Sequence, residues 1–365
     1  MTIIVDATST LVRSAGVKNY VWHWLRHLRR QADEDIAIRA FPFLNDVGLL
    51  DHETSALSRR DTILRLALIK SMNESGLPPL DWMIRGGDIF HGTNLLRRAP
   101  RQAKLTATIH DLTCWLMPEV HTPANVKADR EFGENILRHA DGLIAVSENT
   151  RQDAIRLLGI DPDRIHTIYS GIADSYFEAP HKNQAVRRPR PYALYVGTIE
   201  PRKNLNTLLD AWKLLKPSLR SEFDLLIVGP LGWGYDQTLP RVLTEATYLG
   251  YVPEDDLPGL TAGATVFVYP SLYEGFGFPV AQAMAAGVPV ITSNNSSLPE
   301  ITGDGAVLID PKSASEIASA LTRVFESESL QADLAVKGRK RVDLFRWEKC
   351  ATESLHFFRS VLGSV

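Results

Sequence analysis

Short apolar runs alternate with helical patterns twice along this 365-residue chain, and a proline- and arginine-rich break separates the two series. The first series reads as strands at 2–5, 36–41, 88–91, 104–109, 142–146 and 165–168. The second reads as strands at 192–196, 224–228, 247–251, 265–269, 289–292 and 306–309, with helices near 204–215, 255–262, 279–286 and 313–325. Strands this short, apolar throughout and spaced by helices, fit parallel sheets covered on both faces. A chain of this length exceeds one comfortable core. The expected architecture is therefore α/β: two doubly wound parallel-sheet domains facing a central cleft, where the strand carboxyl ends bind ligands.

The break falls at 179–191, where three prolines accompany Lys182, Arg187, Arg188 and Arg190 and little can be buried. It reads as a linker between a first domain at 1–178 and a second at 192–346. The segment 347–365 carries Ala351, Leu355, Phe358 and Leu362 on one stripe, suited to packing on the second domain or returning to the first. In the first helix Val17, Val21, Leu25 and Leu28 form the apolar stripe, while Trp22, Arg26, Arg29 and Arg30 fall largely off it. An ordinary solvated helix face is the favoured reading of that aromatic and basic surface, with contact to anionic lipid as the alternative. Residues 44–87 are less regular, with one apolar helix near 62–72.

Composition narrows the class. With 44% hydrophobic and 23% charged residues and a formal net charge of -3, the chain lacks the basic balance of a nucleic-acid binder. Its two cysteines, Cys114 and Cys350, lie far apart, give no metal-ligand spacing and read as buried thiols of a reducing compartment. No apolar run approaches the roughly 18 to 20 residues of a membrane span, and no leader pattern opens the chain. A cytoplasmic protein is expected, with peripheral contact at the inner membrane face through the first helix.

Two loops carry the chemistry. After the strand at 265–269, Glu274 sits beside Gly275 and Gly277, and Pro279 occupies the first turn of a new helix. Glycines admit close backbone approach, and a helix start points free N–H groups at an anion. After the strand at 192–196, Arg202 and Lys203 precede a helix whose dipole would repel them. A phosphate between the cations and the helix end resolves the conflict; a solvated surface pair is the alternative. Other signals are weaker. Asp161-Pro162-Asp163 has a metal-binding D-x-D form but sits where a turn is expected. His23, His27, His121, His139 and His166 show no ligand spacing. The glycines from Gly229 to Gly234 follow a strand but do not spell the dinucleotide fingerprint, so NAD binding is not expected.

The run Val196-Gly197-Thr198-Ile199-Glu200-Pro201-Arg202-Lys203-Asn204, together with Pro270-Ser271-Leu272-Tyr273-Glu274-Gly275-Phe276-Gly277-Phe278-Pro279, resembles the retaining glycosyltransferases of family 4. Thr108-Ile109-His110-Asp111-Leu112-Thr113 is similar to the family's acceptor-side histidine loop, and segments 146–151 and 250–253 also match, so the resemblance spans the chain. It implies the GT-B fold of two Rossmann-like domains, with a nucleotide sugar in the second and the acceptor in the first. Lys203 and Arg202 would neutralise the departing diphosphate. Glu274 would bind the donor sugar, and His110 would face the transferred sugar; these four are the expected catalytic residues. Donor contacts would come from Gly16, Gly197, Thr198, Gly229, Tyr251, Val252, Gly275, Phe276, Gly277 and Gln282. The acceptor side would add Asn94 and Asp111, the latter as a base or as a cap for its neighbour.

Two departures stand out. The family's second glutamate is Gln282 here, which weakens the expected ribose contact. The N-terminal glycine loop, Ser14-Ala15-Gly16-Val17-Lys18, has a single glycine. The Gly-Thr-Ile-Glu-Pro-Arg-Lys variant looks most like bacterial mannosyltransferases of polysaccharide and O-antigen assembly, implying GDP-mannose as donor; UDP-glucose and other nucleotide hexoses stay open. No metal and no cofactor beyond the donor is expected, and the acceptor is a glycan or lipid-linked glycan. The alternatives are a nucleotide-sugar 2-epimerase on the same fold and a non-catalytic sugar-nucleotide-binding protein.

Overall fold

The computed structural model describes residues 1–13, 16–44, 47–48, 50–179 and 188–363. Its contacts divide the chain into two units, residues 1–171 with 345–365, and residues 172–344.

The first unit is built on a six-stranded sheet: β1 (Thr2–Asp6), β2 (Ala37–Phe41), β3 (Ile89–Gly92), β4 (Lys104–Ile109), β5 (Gly142–Ala145) and β6 (Ile165–Thr167). The order is β2-β1-β3-β4-β5-β6, with every pair parallel. Val5 lies opposite His91 and Gly92 opposite Ala107, so the exits of β1, β3 and β4 are neighbours. Helix Gly16–Gln31 buries Tyr20, Val21, Trp24, Leu25 and Leu28, a wider face than the four-residue stripe. The extra width is explained by helix Trp347–Val361, which packs along it. Trp24 donates its indole N–H to Ser354 Oγ at 2.9 Å, and Phe358 is fully buried. Each large apolar side chain so buried is worth about 1.5–3 kcal/mol. On the other face Trp22 donates to the Gly48 carbonyl at 2.9 Å, and the Arg26 guanidinium lies 4.4 Å from its ring centroid. Helix Arg59–Ser75 is longer than its apolar run; Ser58 Oγ caps its start and Gly76, at φ +73°, closes it.

The second unit carries β7 (Tyr192–Val196), β8 (Asp224–Val228), β9 (Thr247–Gly250), β10 (Val266–Tyr269), β11 (Val290–Ser293) and β12 (Ala306–Ile309). Their order, β12-β11-β10-β7-β8-β9, is again all parallel and places β7 beside β10. Helices Leu205–Leu214, Leu257–Ala262, Phe278–Ala285 and Ala314–Phe325 fall where the periodicity places them. Helix Glu328–Val342 shows only a thin apolar stripe in the sequence: Leu334 and Val342 are buried, but Val336 is exposed and Arg339, Lys340 and Arg341 crowd its last turn.

The unit boundaries differ from the sequence reading. Residues 172–178 sit with the second unit, because helix Asp174–Glu178 packs on helices Leu257–Ala262 and Phe278–Ala285, with Tyr176 buried. Residues 345–346 sit with the first, where Phe345 meets the Tyr169 ring at 5.4 Å. Of the expected linker, residues 180–187 lie outside the described residues, whereas Arg190 is anchored by Asp224 at 2.8 Å. Among the described residues no helix is long and apolar enough to cross a membrane.

Candidate active site

The sheet order joins the two loops that the sequence separates by 71 residues. β7 and β10 are adjacent, so the turn Pro201–Lys203 after β7 meets the loop after β10. Lys203 Nζ donates to Glu274 Oε1 at 2.7 Å. The same oxygen accepts from Ser271 Oγ at 2.6 Å and Tyr269 OH at 3.1 Å, and Arg202 Nη1 lies 3.2 Å away. Arg202 also donates to the Tyr273 carbonyl at 2.6 Å and to Glu200 Oε1 at 2.9 Å. Burial alone would raise the Glu274 carboxyl, but Lys203 and then Arg202 hold it down at about 2. Burial and the neighbouring Arg202 push the Lys203 ammonium down, while Glu274 pulls it back. The result is a dry cluster of two cations and two carboxylates.

Local backbone chemistry locks the two loops. Asn204 stands in the left-handed region at φ 60°, and its amide donates to the Pro270 carbonyl at 2.9 Å and the Pro311 carbonyl at 2.7 Å. It thereby ties together the exits of β7, β10 and β12. Ser296 Oγ accepts from the Glu274 N–H at 3.1 Å, and Ser297 Oγ donates to the Glu274 carbonyl at 3.0 Å. Gly277 opens helix Phe278–Ala285 at φ 94°, against Leu298. Gly275 and Phe276 are buried beside it, and Gln282 is half-buried one turn into the helix. On the far side Gly197 donates to the Val228 carbonyl at 2.9 Å, and Gly229 donates to the Gly250 carbonyl at 2.8 Å. Thr198, Tyr251 and Val252 line these strand exits, half-buried. The expected donor residues of the second unit thus gather at the exits of β7–β10.

The first unit has its own cluster. His110 follows β4, its ring edge-on to Tyr20 at 4.8 Å, and its Nε2 is buried with no hydrogen-bond partner among the described residues. Burial lowers it to about 4, against the pull of Asp111. Beneath it His91 is fully buried between Thr106 and Thr108, at 2.9 and 2.8 Å, and burial lowers it to about 3. Asp111 Oδ1 accepts from both the N–H and the hydroxyl of Thr113, so it caps the turn that follows. Asn94 Oδ1, after β3, is buried and likewise unpartnered among the described residues. Gly16 starts its helix in open space; Ser14 and Ala15 of the same loop lie outside the described residues.

Other sequence candidates resolve as structure. Asp161 caps a turn by accepting from the Asp163 N–H at 3.0 Å, and Cys114 and Cys350 are free and buried. Among the described residues no three His, Cys, Asp or Glu side chains are placed to hold a metal ion. The sequence reading missed Glu200, whose side chain is 4% exposed, because a carboxylate beside two cations looks like surface charge.

Comparison with known proteins adds the family. Residues 14–176 match the model described as Glycosyltransferase Family 4, and residues 177–341 match Glycosyl transferases group 1. The chain is 35% identical to the O-antigen chain mannosyltransferase B of Escherichia coli over 283 residues, covering 74% of each chain. It is 26% identical to the serotype-specific mannosyltransferase WbdA of the same organism over 64% of this chain, spanning 31% of that longer protein. Sucrose-phosphate synthase from Thermosynechococcus elongatus superimposes with a TM-score of 0.73 at 21% identity, covering 100% of this chain and 99% of that one. Two matched segments, one through each sheet, and a closely related mannosyltransferase place the chain: it belongs to the family 4 glycosyltransferases of GT-B fold.

Proposed function

We propose that this glycosyltransferase moves mannose from GDP-mannose, with retention and without a metal, to a glycan or lipid-linked glycan during polysaccharide assembly. The Lys203–Glu274 pair carries the reading. Lys203 brings an ammonium to a dry site where charge on a departing diphosphate is strongly stabilised. Glu274 Oε1 is committed to four donors, which leaves Oε2 for hydroxyls of the donor sugar. In the first unit His110 is neutral at physiological pH, so its ring exchanges hydrogen bonds with a sugar hydroxyl without adding positive charge beside an oxocarbenium-like centre. The family resemblance implies same-face attack for retention without a carboxylate nucleophile, with the departing phosphate taking the acceptor proton. The mannosyltransferase relatives support mannose as the transferred sugar.

The test is a thermal-shift panel of sugar nucleotides followed by transfer to a mannose-bearing acceptor and assignment of the product anomer. Ligand bound only by the folded state raises stability with its affinity. GDP-mannose is expected to give the largest shift and an α-linked product; a larger shift with UDP-glucose, or an inverted product, would sink the reading. A lipid-linked acceptor also brings the first helix to a membrane surface through Arg26, Arg29 and Arg30. Unchanged vesicle binding after replacing all three would remove that part.

A further inference from the structure

Glu200 ends the loop between β7 and the turn Pro201–Lys203, in extended conformation, with its carboxylate buried. Nothing in the motif resemblance gives it a task. Its Oε1 accepts from Arg202 Nη2 at 2.9 Å, while Arg202 Nη1 donates to the Tyr273 carbonyl at 2.6 Å and lies 3.2 Å from Glu274 Oε1. The guanidinium therefore spans from the exit of β7 to the exit of β10, anchored at both ends. A planar fork with fixed donor directions suits such a span, whereas an ammonium with three rotating donors suits a partner that arrives and leaves. Lys203, by contrast, makes its ion pair among the described residues with Glu274 alone.

We propose that Glu200 is a positioning residue of the donor site: it holds Arg202 as a strut that fixes the Glu274 loop, leaving Lys203 to meet the donor diphosphate. This rests on the donor-site reading above. It assigns Arg202 to orientation instead of phosphate contact, and it makes a prediction whose sign opposes simple electrostatics. Removing a carboxylate from beside an anion site strengthens anion binding on charge alone. Loss of the strut weakens it, because the loop carrying Glu274 is released.

The experiment titrates GDP and GMP, with UDP and UMP in parallel, into the full chain and its variants Glu200→Gln, Arg202→Lys, the double variant and Lys203→Ala. Initial rates with the nucleotide sugar are measured alongside. Glu200→Gln and Arg202→Lys are each expected to weaken diphosphate binding about tenfold and lower kcat. The double variant is expected to be no weaker than Arg202→Lys, since residues acting through one contact are not additive. Lys203→Ala is expected to erase the preference for diphosphate over monophosphate, which Glu200→Gln keeps. Tighter diphosphate binding by Glu200→Gln, full additivity in the double variant, or wild-type behaviour of Arg202→Lys would each overturn the proposal. Arg202→Lys keeps the charge and the bulk, so it decides the matter even if Glu200→Gln folds poorly. A wild-type chain that bound none of the nucleoside diphosphates would instead overturn the donor-site reading.

Discussion

Gly229 crosses the backbone of Gly197 so closely that a β-carbon on it would lie 2.1 Å from the Gly197 carbonyl oxygen. Its φ of +139° is equally closed to residues with side chains. The exits of β8 and β7 nest only because position 229 is bare. Gly229→Ala is expected to push them apart at a cost of about 1–3 kcal/mol, the range for overpacking. The check is the thermal midpoint together with nucleotide affinity. A variant as stable as the parent, binding donor as well, would contradict the nesting.

The acid limb of stability should carry the signature of Glu274. Its folded carboxyl sits at about 2, below its ordinary value of 4.5, so its stabilisation is present above 4.5 and disappears as pH falls towards 2. The lowered Lys203 offsets part of the gain. Urea unfolding between pH 5 and 2 should show a flatter fall for Glu274→Gln than for the parent.

Histidines give the first unit a second acid limb at higher pH. Burial lowers His91 to about 3 and His110 to about 4, both below the usual 6.5. Such groups favour folding fully above 6.5, and the contribution is lost as pH drops through 6.5 towards their folded values. Histidine proton resonances should show no titration of either ring between pH 8 and 5. A midpoint near 6.5 for either ring would refute the buried, neutral assignment.

Gln282 is half-buried one turn into the helix after the Glu274 loop, where the proposed donor would offer a carboxylate a hydroxyl for a charge-assisted bond. A charged hydrogen bond exceeds a neutral one by about 1 kcal/mol. Gln282→Glu is therefore expected to tighten the donor roughly fivefold, read by calorimetry, with little change in kcat. An unchanged dissociation constant would remove the ribose contact from this residue.

Asn204 holds two carbonyls, those of Pro270 and Pro311, from a left-handed backbone position that asparagine tolerates better than most residues. Asn204→Ala loses both bonds and strains the backbone, for roughly 1–3 kcal/mol. Asn204→Gly relieves only the strain, so it should unfold at a higher temperature than the alanine variant.

Much of this was legible in the sequence. The central parallel strands are buried on both faces and appear as short apolar runs, while the more exposed β2, β6, β9 and β12 keep enough apolar residues to be placed; all twelve lie within one residue of their observed bounds. What the sequence hides is what depends on neighbours. The burial of Tyr20 and Trp24 depends on helix Trp347–Val361, which covers them from the far end of the chain. The helix Glu328–Val342 escapes notice because its buried stripe is thin. Lys203 and Glu274 were each singled out, but their contact depends on β10 lying next to β7, a fact of strand order that spacing does not encode. Glu200 was passed over because its burial comes from that same adjacency.

The return of residues 345–365 to the first unit bears on the order in which the chain can mature. Trp24 and Tyr20 meet Ser354 and Trp347 only after everything between them has been synthesised. On the ribosome the second unit, contiguous from 172 to 344, has all its parts before the first, reversing the usual amino-terminal-first sequence. A premature stop just after residue 344 would accordingly leave the second unit whole while stripping the cover from a helix more than 300 residues upstream.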